Sequence, residues 1–444
     1  MGAGPKMAVV GTLSLALLIP VVFVSSVIDD RRGRRDEAVA EITSTWGGAQ
    51  QVVGPVLVIP YKYRYRAVKE EADERGKVFK REVELTAVDS AYFLPDELSV
   101  DAKVAPKRLH RGIFEAVVYS GTVALGGKFG APDWKALKVE PEDVLWGDAA
   151  LTVAVPDLRG AKGALAVSLA GKPHRMLPGT RLPGFSAGAT APVGEAARGG
   201  GEFSLSLDLN GSGGVSFAPL GVRNVASLSS AWPNPKFNGS FLPAERDVRA
   251  DGFSAKWDVS YYGRSYPQAS TDRSGGRPEQ GTVFPSMFGV SFLPAIDSYR
   301  NVERATKYAI LFIAMVFAAF FLFEVLAGVR LHPVQYVLVG LALALFFLVL
   351  LSLSEFLPFG AAYVLAAGAA TAMIVLYSRR VLGSGGRAGV LAGELGAVYA
   401  YLYVVLQLQD FSLLMGSALL VGALGAMMWL TRGVDWYALD AKAG

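Results

Sequence analysis

Residues 308–329 read YAILFIAMVFAAFFLFEVLAGV, an apolar run with the length of roughly 20 residues that a helix needs to cross a bilayer. Four more such runs follow closely, at 334–353, 359–377, 388–408 and 411–430. A single run lies far upstream, from Ala8 to Ile28, and mostly polar sequence fills the interval 29–307. This spacing predicts an α-helical membrane protein of six spans, one plus five, with a large aqueous domain inserted between the first two.

The same spacing divides the chain into four parts. We expect a transmembrane signal anchor at 1–28, an extracytoplasmic domain at 29–307, a five-helix bundle at 308–430 and a cytoplasmic tail at 431–444. The first run is too long for the apolar core of a secretory signal, and charged residues follow it directly. We therefore interpret it as an anchor that is not cleaved.

Composition excludes several classes of function. Charged residues make up 18% of the chain and are concentrated in 29–307, where the two signs nearly balance. A nucleic-acid-binding surface would need basic residues clustered on one face, so we expect no nucleic-acid partner. There is no cysteine, which excludes disulfides, cysteine-ligated zinc and a cysteine nucleophile. We expect no cofactor and no metal ion, and the first partner that the composition implies is the lipid bilayer.

The short loops between spans indicate which side of the membrane each one faces, because Lys and Arg mark the cytoplasmic side. The loop with Arg379, Arg380 and Arg387 is therefore predicted to be cytoplasmic, whereas the loops around Glu355 and at 409–410 carry neither residue type. This pattern predicts cytoplasmic termini and an outward-facing domain. The opposing feature is a group of arginines directly after the first span, interspersed with acids: Arg31, Arg32, Arg34 and Arg35.

Alternation of polar and apolar residues recurs through the outward domain. It is clear at 61–66 (YKYRYR), 82–88 (EVELTAV) and 203–209 (FSLSLDL). Such alternation is typical of strands with one buried and one wet face, and many short strands without intervening helices predict a mainly antiparallel, sandwich or jelly-roll-like β domain. The Gly/Ala/Pro-rich stretch 178–201 is interpreted as a long mobile loop and a candidate boundary between two β lobes.

One enzyme motif is present in the sequence. Residues 184–188, GFSAG, place Ser186 in the nucleophile pattern G-x-S-x-G. That motif works only where a strand delivers the serine to a sharp turn before a helix, and the stretch predicts neither element. Such a hydrolase also needs a later histidine, and the only one, His332, is predicted on the cytoplasmic side. We therefore predict that the protein is not an enzyme, and a serine hydrolase is the least favoured alternative.

The other two histidines, His110 and His174, are isolated in the sequence. No H-E-x-x-H motif occurs and no two histidines have helical spacing, so the pattern of a zinc site is missing. Isolated histidines in a β domain are typically surface or packing residues. A site that combines one of them with scattered carboxylates is the alternative.

Three acidic residues lie in or beside the predicted spans, where a carboxylate is costly and is therefore a candidate functional group. Glu394 lies well inside the fifth span, and the alternatives for it are a structural hydrogen bond or a proton or solute path. Glu324 lies near the cytoplasmic end of the second span, within reach of Arg330 or His332. Glu355 ends the third span, where we expect it to be solvated at the interface.

Small residues recur at four-residue spacing in the last two spans, at Gly389, Gly393 and Ala397 and at Ala418, Gly422 and Ala426. Such ridges let helix backbones approach closely, because packing drives helix association in lipid. We expect the ridges to pack inside a compact five-helix bundle. Contact between copies in a homo-oligomer is the alternative use.

Several segments resemble the CreD family of bacterial inner-membrane proteins. They are 53–60 (VGPVLVIP), 230–237 (SAWPNPKF), 241–244 (FLPA), 303–311 (ERATKYAIL), 320–324 (FFLFE), 330–341 (RLHPVQYVLVGL) and 430–439 (LTRGVDWYAL). The match covers nearly the whole chain, and the long motif around the second span is highly specific. Residues that carry the resemblance include Trp232, Pro233, Arg304, Lys307, Asp435 and Trp436.

The resemblance implies an inner-membrane protein tied to cell-envelope integrity, controlled by a two-component stress and nutrient response, with altered tolerance to colicins and β-lactams. It supplies no catalytic residue, and the chain departs from the family pattern mainly at 178–201. Our preferred hypothesis is a non-enzymatic protein whose periplasmic β domain binds an envelope component, either a lipid or a protein. The alternative is a transporter or lipid-handling protein with a polar cavity around Glu394.

Overall fold

The chain forms two compact units in a computed structural model that describes residues 3–72, 78–161, 163–292, 298–327, 332–408 and 411–432. The β unit consists of the described residues of Ala38–Ala295. The membrane unit consists of the described residues before and after that range. Each unit has a hydrophobic core of its own.

Long apolar helices make up most of the membrane unit. In chain order the helices of the whole chain are α1 (Ala3–Ala16), α2 (Leu18–Trp46), α3 (Gln280–Val283), α4 (Ser298–Lys307), α5 (Ala309–Ala327), α6 (Pro333–Ser354), α7 (Phe359–Val381), α8 (Gly385–Gln407) and α9 (Ser412–Thr431). The short α3 and the end of α2 belong to the β unit, and the others belong to the membrane unit. Among the described residues, five helical segments are long and apolar enough to cross a membrane, and α4 with α5 forms a sixth candidate. The predicted arrangement of one span plus five is therefore confirmed.

The chain re-enters the membrane unit through a charged helix that bends by 46° into an apolar one. Val302 and Ala305 of α4 and Ala309 of α5 are fully buried, and their spacing places them on one helical face. Glu303 and Lys307 lie on the more accessible side of α4. Apart from Glu324 near its end, the helix α5 is apolar on all sides, as expected of a helix that is surrounded by other helices and lipid.

Aromatic side chains fill the centre of the membrane unit. Phe317, Phe320, Tyr336 and Phe346 are almost fully buried. The ring of Tyr336 lies 5.3 Å from that of Phe317 and 6.0 Å from that of Phe320, so it joins α5 to α6. The last helix differs from the others, because none of the most apolar window of α9 is buried.

The small-residue ridges do not lie where we expected them. Gly389 and Gly393 of α8 and Gly422 of α9 are exposed, and an added Cβ at any of them would meet nothing within 4 Å. The helix α8 instead packs through the neighbouring face that carries Leu391 and Leu395. The prediction that the ridges pack inside the bundle is wrong, because large apolar side chains make those contacts.

Strands build the β unit. They are β1 (Gln50–Ala72), β2 (Val78–Phe93), β3 (Glu97–Arg111), β4 (Phe114–Phe129), β5 (Ala150–Ala154), β6 (Ala166–Leu169), β7 (Lys172–Arg175), β8 (Leu177–Pro178), β9 (Gly188–Pro192), β10 (Gly201–Ser212), β11 (Gly214–Phe217), β12 (Arg223–Ser230), β13 (Pro235–Gly239), β14 (Glu245–Arg249), β15 (Gly252–Ser260), β16 (Ala269–Thr271) and β17 (Phe288–Phe292).

These strands form two sheets that share one core. The first has the order β13-β17-β11-β1-β5-β9-β8, with β2 paired to β1 and β16 paired to β2; the second has the order β14-β15-β12-β3-β4-β10-β6-β7. Among the described strands, two pairs are parallel, β1 with β11 and β3 with β12, and the other pairs are antiparallel. The predicted mainly antiparallel β domain is confirmed.

The stretch 178–201 differs from the loop that its composition suggested. Strand β9 lies inside it and pairs with β5, and the side chains of Ala189 and Ala191 are buried. Ala38–Ala295 forms a single compact unit that does not divide at this stretch. Small residues are sufficient for a strand here, because β5 supplies the hydrogen-bonding partner and leaves little room for larger side chains.

Candidate functional site

Glu355 lies at the end of α6 in a group of polar residues from several helices. Its side chain is only 7% exposed, and its carboxylate lies 3.7 Å from the Nε of Arg31. One carboxylate oxygen accepts a hydrogen bond of 3.0 Å from the hydroxyl of Tyr299, whose ring lies under the guanidinium of Arg35 at 5.4 Å. Glu355 is therefore paired and largely shielded, rather than simply solvated as we expected.

Residues of α4 that belong to the segment 303–311 complete this polar group. Glu303 lies 2.9 Å from the Nζ of Lys307 and 3.5 Å from the Nη1 of Arg32. Arg304 points the other way and donates hydrogen bonds of 3.1 and 3.4 Å to the carbonyls of Leu406 and Val405. Those carbonyls belong to the last turn of α8, where a cation is favoured by the helix dipole and satisfies groups that have no partner within the helix.

We call Arg31, Arg32, Glu303, Arg304 and Glu355 the polar belt. It brings the residues after the first span together with the start of α4, the end of α6 and the end of α8 at one end of the membrane unit. If successive helices cross the membrane in alternating directions, these four helix ends lie on the same side of it, as the belt requires. The belt also accounts for arginines beside the first span, because glutamates pair with two of them.

The opposite end of α6 holds two further residues that the sequence singled out. Glu324 accepts a hydrogen bond of 3.4 Å from the hydroxyl of Tyr336. His332 is the N-cap of α6: its Nδ1 lies 3.3 Å from the amide of Val334, and its own amide donates to Gln335 at 3.0 Å. This reciprocal arrangement satisfies amides that the first helical turn leaves open. A predicted partner of Glu324, Arg330, lies outside the described residues, as do Asp435 and Trp436.

Glu394 lies in α8 and is partly buried beside Leu391 and Leu395. The described residues provide no hydrogen bond or ion pair to its carboxyl group. A cavity of about 580 Å³ lies between α7 and α8, and Glu394 is not among its lining residues. The cavity that the transport alternative required around this glutamate is thus in a different place, on the other flank of α8.

A second polar cluster lies in the β unit. Tyr61 and Asp89 are cross-strand partners in β1 and β2, and the Tyr61 hydroxyl donates a hydrogen bond of 3.0 Å to Asp89 Oδ2. The Asp89 carboxyl lies beside that of Asp272. The hydroxyl of Tyr92 donates to Asp272 at 2.7 Å, and Arg277 Nη1 lies 3.8 Å from it.

Burial sets the protonation of this cluster. Burial raises the pKa of Asp89, and the neighbouring carboxyl of Asp272 raises it further, because two carboxylates in one site repel each other. Burial also raises the pKa of Tyr61 to about 12, so its hydroxyl keeps its proton for Asp89. Paired carboxyls occur in acid–base enzymes, but Asp89 is only 9% exposed and already contacts Tyr61, Ser90 and Asp272. The geometry fits a structural role, in which the carboxyl of Asp89 joins β1 to β2 through Tyr61.

Sequence reasoning missed this carboxyl pair. Tyr61 and Asp89 both fall in recognisable strands, but only the register of β1 against β2 sets them opposite each other. Asp272 reaches the pair through β16, a strand of three residues. The sequence signal that could have indicated the site is an acid on the buried phase of an alternating strand.

Ser186, His110 and His174, the candidate enzyme residues of the β unit, have separate partners and do not form one site. Ser186 is exposed, and its surroundings at 182–192 contain neither a strand that ends at the serine nor a helix that begins after it. His110 pairs with Glu115 at 3.5 Å on an exposed hairpin. The Nδ1 of His174 lies 3.1 Å from the carbonyl of Pro192. Among the described residues, no group of three or more acidic, histidine or cysteine side chains could hold a metal ion.

Two further motif residues, Trp232 and Pro233, lie in a turn of the β unit. Trp232 is buried, and its Nε1 donates a hydrogen bond of 3.2 Å to the carbonyl of Asn234. The guanidinium of Arg108 lies 5.3 Å above its ring. Pro233 follows in the same turn and is half-buried. This part of the motif therefore shapes the connection between β12 and β13.

Comparison with known proteins identifies the family. A family model described as inner membrane protein CreD matches residues 3–437. Inner membrane protein CreD of Escherichia coli (strain K12) is 32% identical over 429 residues, which cover 96% of this chain and 92% of that protein. Together with the candidate spans, this makes the protein a multi-pass inner-membrane protein. The chain belongs to the CreD family.

Proposed function

We propose that the protein is a non-enzymatic support of cell-envelope integrity, whose β unit faces the periplasm and binds an envelope component. One observation carries the proposal. The motif residues that the structure describes, including Arg304, His332 and Trp232, make contacts at helix ends and in the core and are not gathered in one reactive site. What remains for function is the surface of a large sheet-rich unit that the membrane helices precede and follow in the chain.

The proposed orientation places both termini in the cytoplasm. Arg379 and Arg380 lie in the last turn of α7 and Arg387 lies in the first turn of α8, on either side of the short connection between them, where the charge rule favours the cytoplasmic side. Arg31 and Arg32, which favour the opposite orientation, are paired with Glu355 and Glu303. Paired arginines resist placement outside the cytoplasm less than free ones, so the later loops carry more weight.

The ribbon formed by β1 and β2 is the part of the β unit best suited to meet a protein partner. Beyond Tyr61 in β1, the described residues of the two strands pair with each other alone as far as Ala72 and Val78. Tyr65 and Leu85 are exposed cross-strand partners on one face. A two-stranded ribbon is marginally stable by itself in water, so a partner that covers this face would stabilise it.

The test removes the ribbon without removing the sheet. Lys62 and Val88 are cross-strand partners, so an Asn-Gly turn can join them in place of residues 63–87. We expect cells that carry this variant to lose resistance to detergent as completely as a deletion strain, while the protein still inserts in the membrane. Glu394→Gln is the matched variant in the bundle and should keep full resistance. A null phenotype for Glu394→Gln would show instead that the bundle performs chemistry or transport.

A further inference from the structure

The cavity between α7 and α8 is lined by uncharged, mostly apolar side chains, as expected of a surface that meets lipid rather than water. Seven residues of α7, from Tyr363 to Val375, and five residues of α8, from Ala392 to Tyr403, line it. None of these twelve residues is charged, and the polar ones are Thr371 and three tyrosines. Its volume of about 580 Å³ lies within the range of about 300–1,000 Å³ that is usual for small-molecule sites.

Small residues keep the cavity open. Gly368 of α7 and Gly396 of α8 both line it, and an added Cβ at either would meet nothing within 4 Å. The two helices are held in place at one end, where the Tyr363 hydroxyl donates a hydrogen bond of 2.7 Å to the carbonyl of Tyr399 and its ring lies 5.2 Å from that of Tyr403. Fixed walls with no side chain between them form a preformed groove.

The dimensions of the groove select its occupant. From Tyr363 to Val375 it follows α7 for about 18 Å, at a rise of 1.5 Å per residue, which is slightly more than half of the ~30 Å hydrocarbon core. Spread over that length, the volume gives a mean cross-section of about 30 Å². The groove is open along one side, where Val364 is 67% exposed, so a helix about 10 Å in diameter would lie over it without filling it. A single extended hydrocarbon chain can lie within it.

One end of the groove is suited to a more polar group. Tyr363, Tyr399 and Tyr403 lie there, near the start of α7 and the end of α8, and therefore close to the polar belt. Tyr399 is 6% exposed, and its hydroxyl has no hydrogen-bond partner among the described residues. A buried hydroxyl in a native protein normally has a partner. Tyrosines are also the side chains that favour the boundary between head groups and acyl chains.

We propose that this groove binds one acyl chain of a membrane lipid, with the lipid head group at the tyrosine end. The site is distinct from the β unit and from Glu394, so it adds a lipid ligand to the proposed function and does not depend on it. The chain is recognised by shape and apolarity, and the tyrosines set its direction. The lipid then belongs to the leaflet on the side of the polar belt.

The experiment fills the groove and measures the lipid that the full-length protein retains. Gly396→Leu and Gly368→Leu place a side chain in the open space, whereas Gly393→Leu places the same side chain on an exposed part of α8 outside the groove. Gly396→Ala is a milder version that the helix tolerates, because its Cβ has room. Each protein is purified in mild detergent, and its bound phospholipid is measured by native mass spectrometry.

We expect about one retained phospholipid in the wild type and in Gly393→Leu. Gly396→Leu and Gly368→Leu should retain at least five times less, with Gly396→Ala between them. In liposomes of phosphatidylethanolamine and phosphatidylglycerol, a phosphatidylethanolamine with a diazirine in its acyl chain should label peptides from 363–375 and 392–403 in the wild type. Equal retention in all variants, an equal loss in Gly393→Leu, or labelling spread evenly over all spans would overturn the proposal.

Discussion

The membrane unit and the β unit bury carboxyl groups in opposite ways. In the membrane unit, Glu355 lies 3.7 Å from the guanidinium of Arg31. In the β unit, Asp89 accepts a hydrogen bond from Tyr61 and lies beside a second carboxyl, that of Asp272. The first arrangement pairs the acid with a cation, whereas in the second burial and the neighbouring carboxyl raise the pKa of Asp89.

The comparison shows that burial alone does not determine the role of an acidic residue in this chain. Glu355 and Asp89 are similarly shielded, but Glu355 pairs with a cation in the polar belt, whereas Asp89 accepts a hydrogen bond across β1 and β2 and lies beside a second carboxyl. Neither group has the open access that a reacting group needs. The two clusters should therefore respond differently to substitution and to pH, and the following variants test that difference.

Arg31→Ala should have the largest effect. It leaves the carboxylate of Glu355, whose side chain is 7% exposed, without its cation, and we expect the membrane unit to lose about 2–3 kcal/mol. The measurement is the midpoint of thermal unfolding of the full chain in detergent. Arg34→Ala is the control, because its pair with Asp30 is exposed on both sides and should contribute less than ~0.5 kcal/mol. Equal shifts for both variants would contradict the distinction between a shielded and an exposed pair.

Tyr61→Phe should destabilise the β unit by about 1–2 kcal/mol, because the buried carboxyl of Asp89 loses a hydrogen bond. Urea unfolding followed by tryptophan fluorescence measures this, since Trp46, Trp134, Trp146, Trp232 and Trp257 lie in the β unit. Tyr63→Phe is the matched control two residues along the same strand, where the described residues give the hydroxyl no partner. A comparable loss in the control would mean that the ring, and not the hydroxyl, matters at Tyr61.

Asp89→Asn should raise the stability of the β unit at pH 7 by roughly 1 kcal/mol, the size of one hydrogen bond or charge interaction. The pKa of Asp89 in the folded protein is raised above the unfolded value of about 3.9. The wild type therefore loses stability as the pH rises from the unfolded pKa through the higher folded pKa. The asparagine variant has no such loss, and the two proteins should converge near pH 4. Urea unfolding at both pH values measures this, with the exposed Asp101→Asn as control. A variant that is less stable than the wild type at pH 7 would contradict the raised pKa of Asp89.

Ser186→Ala should have the smallest effect. The serine is exposed and lies outside any nucleophile elbow, so neither the stability of the β unit nor resistance to detergent should change measurably. A fluorophosphonate probe should label the wild type no more than the variant. Labelling that depends on Ser186 would restore the hydrolase hypothesis.

The spans and the alternating strands were predictable, whereas the clusters were not. Twenty apolar residues such as those of α6 satisfy the bilayer by themselves, and period-two runs such as 203–209 fix which face of a strand is buried. Strand β9 was not predicted, because Ala189 and Ala191 are too small to give a clear pattern of alternating hydrophobicity. It forms because its backbone pairs with β5 in the sheet. The ridge at Gly389 and Gly393 led to a wrong prediction of helix packing. Its four-residue spacing is compatible with a close helix contact, but the bundle makes no contact there.

The sequence by itself determined the family, the number of spans and the β character of the inserted unit, because length, hydropathy and alternation are local properties of the chain. The tertiary structure decided which acids are paired, which histidine caps a helix and where a groove stays open. Those outcomes depend on strand register, as at Tyr61 and Asp89, and on helix pairing, as between α7 and α8. Both join residues that are distant in sequence, and the free energy that selects them is that of burial and hydrogen bonding between elements, which no single segment contains.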